Sequence, residues 1–128
     1  MRVLIIEDNQ VVSTLYQILL ESVPEAWEVT TARTLAEGMA SIRLNDPCAV
    51  MLDLNLPDSD GLDSVRRMRA EFPTVAVAVV TGSGVSEEEC IAAGADAFRR
   101  KPTLRQDLID VLSEAMAKLV ATRLKINA

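Results

Sequence analysis

Three apolar runs, each closed by a polar residue, constrain this chain more than any other feature. Val3-Leu4-Ile5-Ile6 leads into Glu7-Asp8, Ala49-Val50-Met51-Leu52 into Asp53, and Val75-Ala76-Val77-Ala78-Val79-Val80 into Thr81. A strand that is apolar on both faces must be covered on both, which is the condition of central strands in a parallel sheet flanked by helices. Two further segments, Trp27-Glu28-Val29-Thr30 and Ala95-Asp96-Ala97-Phe98-Arg99, alternate apolar with polar residues and suit sheet edges. Five strands with these two at the edges fit a doubly wound α/β fold of order 2-1-3-4-5. Its switch point lies between the first and third strands, and side chains at the carboxyl ends of those strands point into one crevice.

The stretches between the strands read as helices. The first is expected near 10 to 22, with Val11, Val12, Leu15, Ile18 and Leu19 as its buried stripe and Pro24 as its stop. The second runs near 34 to 44, with Thr34 as N-cap and Leu35, Met39 and Ile42 inward. Asp46-Pro47 turns into the third strand, and a loop from Leu54 to Gly61 follows Asp53 before a helix near 61 to 70 that Phe72-Pro73 closes. A helix near 86 to 93 is capped by Gly94, a strand covers 95 to 100, and a last helix fills about 103 to 126. Leu104, Leu108, Val111, Leu112, Ala115 and Leu119 form the stripe of that last helix, with Ile109, Met116 and Val120 beside it.

With 128 residues, 49% of them hydrophobic, residues 1–128 are expected to form one domain with a single core. The net charge of -6 argues against direct contact with nucleic acid, which needs a basic footprint. Cys48 and Cys90 lack metal or redox spacing and are expected to be reduced core or near-core residues. No stretch reads as a signal peptide or a membrane span, so a cytoplasmic location is expected.

The strand-end residues carry the chemistry. Glu7, Asp8 and Asp53 offer a carboxylate cluster, Thr81 a hydroxyl and Lys101 an ammonium, a set suited to Mg²⁺ and a phosphoryl group. Five motifs in this order resemble the receiver domain of two-component response regulators: IIEDN at 5 to 9, MLDLNLPDSDGL at 51 to 62, VVTG at 79 to 82, AGADAF at 93 to 98 and KP at 101 to 102. The resemblance spans almost the whole chain. It implies a signalling switch in which Asp53 takes a phosphoryl group from the phosphohistidine of a sensor histidine kinase or a histidine phosphotransfer protein. It further implies Mg²⁺ held by Glu7 (directly or through water), Asp8, Asp53 and the main-chain carbonyl of Asn55. Thr81, Gly82 and Lys101 would bind phosphoryl oxygens, a cis bond would join Lys101 to Pro102, and Thr81 and Phe98 would form the switch pair.

The same resemblance makes the chain a switch rather than a turnover enzyme, catalysing only its own phosphorylation and slow dephosphorylation. Downstream it implies a partner protein or an output domain. The long last helix suits a homodimer contact or a helical connection to such a domain. One departure stands out: Ser86 to Ala93 leaves room for only about two helical turns where the family's fourth helix is longer, and Ser83 lies where the family tunes dephosphorylation. Competing readings fare worse. A haloacid-dehalogenase-type phosphatase needs an aspartate where Asn55 stands, and a flavin site needs small hydroxyl and glycine residues that the loop after the first strand lacks. A phosphorylation-independent interaction module is the remaining alternative, set against an intact Glu7, Asp8, Asp53, Thr81 and Lys101.

Overall fold

The computed structural model describes residues 1–22 and 27–127, and the side chains through residue 122; Pro24 lies outside the described residues. Its elements run β1 (Arg2–Ile6), α1 (Gln10–Glu21), β2 (Glu28–Ala32), α2 (Leu35–Asn45) and β3 (Ala49–Leu52). They continue with β4 (Asn55–Leu56), β5 (Ser59–Asp60), α3 (Gly61–Glu71), β6 (Ala76–Thr81), α4 (Glu87–Ala93), β7 (Ala97–Arg100) and α5 (Arg105–Asn127). The five long strands form one parallel sheet in the order β2-β1-β3-β6-β7, which is the expected 2-1-3-4-5 arrangement. β4 and β5 make a small antiparallel hairpin inside the loop after Asp53 that strand periodicity did not reveal.

Strand alternation divides the core. Leu4, Ile6, Val50, Leu52, Val77, Val79 and Phe98 pack with residues of α2, α3 and α4, whereas Val3, Ile5, Met51, Ala78, Val80 and Ala97 pack with α1 and α5. Each central strand is thus buried on both faces, as its unbroken apolar sequence requires. α2 starts where Thr34 Oγ1 accepts the Glu37 N–H at 3.0 Å, and its expected stripe of Leu35, Met39 and Ile42 is buried. α4 has only seven residues, held by a reciprocal capping box between Ser86 and Glu89. Gly94 follows it at φ 123°, where a Cβ would come within 2.8 Å of the Arg69 Cβ, so only glycine fits.

Three expectations need correction. On α1 the helix buries Ser13, Tyr16 and Leu20, with Val12 and Leu19 half-buried, while Val11, Leu15 and Ile18 are exposed. α1 is apolar on two sides, and periodicity alone does not show which side meets the sheet. Leu104 is also exposed, because α5 begins one residue later and the packed stripe is Leu108, Val111, Leu112 and Ala115. Cys48 is exposed and Cys90 buried, both free thiols; Cys48 precedes β3, so its backbone joins the ladder while its side chain stays outside the core. No helix among the described residues is long and apolar enough to cross a membrane.

Candidate functional site

Hydrogen bonds just beyond the strand ends carry the ladder into the crevice. The Glu7 N–H donates to the Ala32 carbonyl, the Asp53 N–H to Ile6 and the Lys101 N–H to Thr81, each at 3.0 Å. These bonds place Glu7, Asp53, Thr81 and Lys101 side by side at the carboxyl edge of the sheet, although they are far apart in sequence. Glu7, Asp53 and Thr81 are buried and Asp8 is exposed at the rim. Glu7, Asp8 and Asp53 each present a carboxylate oxygen, and all three lie within 4.8 Å of one another. Three hard oxygen donors converging this closely, one open to solvent, fit a small divalent cation that keeps part of its water shell.

Both oxygens of Asp53 are engaged. Oδ1 accepts from the Thr81 hydroxyl at 3.0 Å and from the Asn55 N–H at 3.4 Å, and Oδ2 accepts from the Lys101 ammonium at 3.3 Å. The same ammonium donates to Glu7 Oε1, so it sits between the two carboxylates. The Lys101–Pro102 peptide is cis. Burial, joined by the neighbouring Asp53 carboxylate, pushes the Glu7 carboxyl up to about 7. Burial would raise Asp53 too, but hydrogen bonding with Glu7, the Lys101 charge and the Thr81 hydroxyl outweigh it and hold Asp53 below its ordinary value. Desolvation opposes the charge on Lys101, but Glu7 and Asp53 more than compensate and raise it above an ordinary lysine. Near neutrality the metal-free site therefore keeps an ionised Asp53, a charged Lys101 and a Glu7 that shares its time between two protonation states.

The surrounding loops complete the site, and the role of Asp58 is one that sequence reading passed over. Asp58 in the turn between β4 and β5 accepts the Leu35 N–H at 2.8 Å and the Ala36 N–H at 3.0 Å, clamping the loop after Asp53 to the start of α2. The carboxylate-to-helix spacing of 23 residues hides this cap from local pattern reading. Gly82 is exposed in the β6–α4 loop, where a Cβ would meet nothing closer than the Lys101 Cβ at 4.0 Å. Ser83 donates its N–H to Thr81 Oγ1 at 3.2 Å, and its own buried hydroxyl has no partner. Phe98 is buried among the residues packed against α4, and the Arg100 guanidinium lies 5.2 Å from its ring centre. Thus the hydroxyl of Thr81 points to Asp53 and the Phe98 ring faces inward in the same structure.

Comparison with known proteins gives one consistent result. The sequence model of a family described as response regulator receiver domain matches residues 3–113. The transcriptional regulator TcrX of Mycobacterium tuberculosis, described as probable, is 30% identical over 109 residues, covering 84% of this chain and 46% of that protein. The cell cycle transcriptional regulator CtrA of Caulobacter vibrioides is 32% identical over 111 residues, 85% of this chain and 47% of that protein. The chain therefore spans about half the length of these curated relatives. A CheY-like receiver domain protein from Methanospirillum hungatei superposes with TM-score 0.81 at 29% identity, over 94% of this chain and 97% of the other. A receiver domain protein from Clostridium thermocellum gives 0.80 at 27% identity, over 99% and 98%.

The raised Glu7 carboxyl has a measurable consequence for stability. A carboxyl that binds its proton more tightly when folded adds stability in full below its unfolded value of 4.5, and that contribution is lost as pH rises through about 7. Urea unfolding of the metal-free protein is expected to show a loss of about 1 kcal/mol between roughly pH 6 and pH 8 from this group. Glu7→Gln, which cannot ionise, is expected to flatten that slope.

Proposed function

The chain belongs to the response regulator receiver family, and from that premise we propose that Asp53 accepts a phosphoryl group from a phosphohistidine on a sensor kinase or phosphotransfer protein. The observation that carries this reading is the convergence on Asp53 of the Thr81 hydroxyl at 3.0 Å, the Lys101 ammonium at 3.3 Å and two further carboxylates. Mg²⁺ would be held by the carboxylates of Glu7 (directly or through water), Asp8 and Asp53 together with the Asn55 main-chain carbonyl, and would supply charge neutralisation for the phosphoryl oxygens. The chain's own residues do the rest. An Asp53 oxygen attacks phosphorus as the phosphorus–nitrogen bond to the donor histidine breaks, giving an acyl phosphate on Asp53 and a neutral imidazole once a proton is taken up. Because such a transition state is loose, positioning and cationic contacts matter more than nucleophile strength. Asp53 is suited to this role because it stays ionised, its carboxyl held below the ordinary range.

Lys101 and Thr81 already touch the Asp53 oxygens, so both stand beside the atoms to which the phosphoryl group will be joined. Lys101 pairs with one oxygen, and Thr81, with the N–H of Gly82, hydrogen-bonds another. Water later attacks the acyl phosphate, releasing inorganic phosphate and restoring the carboxylate, so the protein acts as a switch and not as a turnover enzyme. Thr81 and Phe98 carry the change outward by shifting a pre-existing equilibrium in partner affinity. The downstream element is a partner protein, an output domain or a second copy of the chain, acting in the cytoplasm.

The donor approaches over α1. Val12, Leu15, Tyr16, Pro102 and Thr103 line an apolar groove of about 360 Å³ that also includes Lys101, so a donor protein seated there brings its phosphohistidine to the crevice. The exposed Leu15 and Ile18 extend this surface.

Intact-protein mass spectrometry after incubation with acetyl phosphate tests the chemistry. A Mg²⁺-dependent gain of one phosphoryl group is expected, and Asp53→Asn abolishes it; no gain in a folded protein that binds Mg²⁺ favours a phosphorylation-independent module. Leu15→Asp is expected to slow transfer from a phosphohistidine protein about tenfold or more while leaving acetyl phosphate labelling unchanged, since only a macromolecular donor needs the groove. Equal transfer rates would remove α1 from the docking surface.

A further inference from the structure

Arg100 is held differently from the four arginines that pair with carboxylates. Arg2, Arg43, Arg69 and Arg99 each reach a carboxylate, whereas among the described residues Arg100 makes no ion pair. Its two terminal nitrogens go instead to backbone: Nη1 donates to the Ser83 carbonyl and Nη2 to the Val85 carbonyl at 2.6 Å. The planar guanidinium suits such a two-point grip, because its donors are fixed in a fork. Strand alternation explains the placement. Arg99 faces α5 and pairs with Glu114 at 2.6 Å, so Arg100 projects to the opposite side, the side of Phe98, and covers its ring. Arg100 is also the register partner of Thr81 across β6 and β7.

The contacts form an unbroken series. The Phe98 ring touches Arg100, Arg100 holds the Ser83 and Val85 carbonyls, the Ser83 N–H donates to Thr81 Oγ1 at 3.2 Å, and Thr81 donates to Asp53 at 3.0 Å. Besides this grip, the loop is held by the Ser83 N–H on Thr81 and by Val85, which packs against the core. It begins Gly82-Ser83-Gly84, neither glycine makes a close contact that a side chain would disturb, and the following helix is only seven residues long. The geometry points to Arg100 as a positioning residue for phosphoryl transfer at Asp53: it grips the β6–α4 loop through two carbonyls and so keeps the Ser83 N–H on Thr81 Oγ1 and the Thr81 hydroxyl on the reacting carboxylate. By stacking on Phe98 it ties that alignment to the inward position of the ring. This inference rests on the phosphoacceptor reading of Asp53.

Four variants and two readouts test it. Arg100→Met keeps the stem and removes the fork, Arg100→Lys keeps a cation that can stack on the ring and donate to one carbonyl, and Phe98→Leu, alone and combined with Arg100→Met, completes a double-mutant cycle. The first readout needs no phosphoryl group: the amide signals of Ser83 and Gly84 and the Phe98 ring signals in nuclear magnetic resonance spectra of the unphosphorylated protein. The second is the rate of phosphoryl gain from acetyl phosphate with Mg²⁺. Arg100→Met is expected to shift the Ser83 and Phe98 signals with the rest of the spectrum unchanged and to slow labelling about tenfold, as loss of positioning does. Arg100→Lys is expected to recover part of the rate, and the double variant to lose less than the sum of the two single effects. Labelling of Arg100→Met at the native rate, or an unmoved Ser83 amide, would overturn the proposal. A native protein that takes no phosphoryl group would overturn the phosphoacceptor reading and this role with it, an outcome recognised because the failure precedes any substitution at Arg100.

Discussion

Parallel pairing in a shared register is the constraint on which the rest of this structure depends. Because β1, β3, β6 and β7 all run the same way, their carboxyl ends open on one edge, and the next residue of each chain segment lands there. The N–H of Asp53 bonded to Ile6 and that of Lys101 bonded to Thr81 leave no freedom to slide. A slip of one residue would turn every side chain to the other face, sending Asp53 into the apolar layer and its neighbour Leu54 into the crevice. The buried apolar layers on both sides of the sheet make such a slip prohibitive.

Given that register, the charges at the edge follow. Two buried carboxylates with one ammonium between them are a costly combination in a medium less polar than water. The site responds by protonating Glu7 in part and by surrounding Asp53 with donors from Thr81, Asn55 and Lys101. That imbalance is what a divalent cation or a cationic transition-state contact relieves. A carboxylate kept ionised and aligned suits the proposed reaction, which would bring in a phosphoryl group together with a metal.

How much of this was legible in the sequence depends on whether the signal was local. The apolar runs of β1, β3 and β6 announced buried parallel strands, and the residues closing them announced Glu7, Asp8, Asp53 and Thr81. The capping residue Thr34 was equally readable, since a cap and its helix are adjacent. The orientation of α1 was not, because Val11, Leu15 and Ile18 mimic a buried stripe and only the tertiary fold decides between two apolar sides. Nor were the Asp58 cap on α2 and the Arg100 grip on the loop after Thr81, which join segments 22 or 23 and 15 or 17 residues apart through backbone groups that leave no mark on composition. The exposed Cys48 shows the same limit, its apolar neighbours belonging to a strand that starts one residue later.

These contacts make Asp53 the point where fold, charge and loop geometry meet, so the account stands on a covalent event at that residue. Borohydride reduction of the protein after incubation with acetyl phosphate and Mg²⁺, followed by peptide mass spectrometry, reads it directly, because an acyl phosphate on aspartate is reduced to homoserine and a free carboxylate is not. Homoserine confined to position 53 is the expected result. Homoserine at Asp8 or the longer 5-hydroxynorvaline at Glu7 in its place, or an unmodified peptide from protein that has bound the metal, would contradict it.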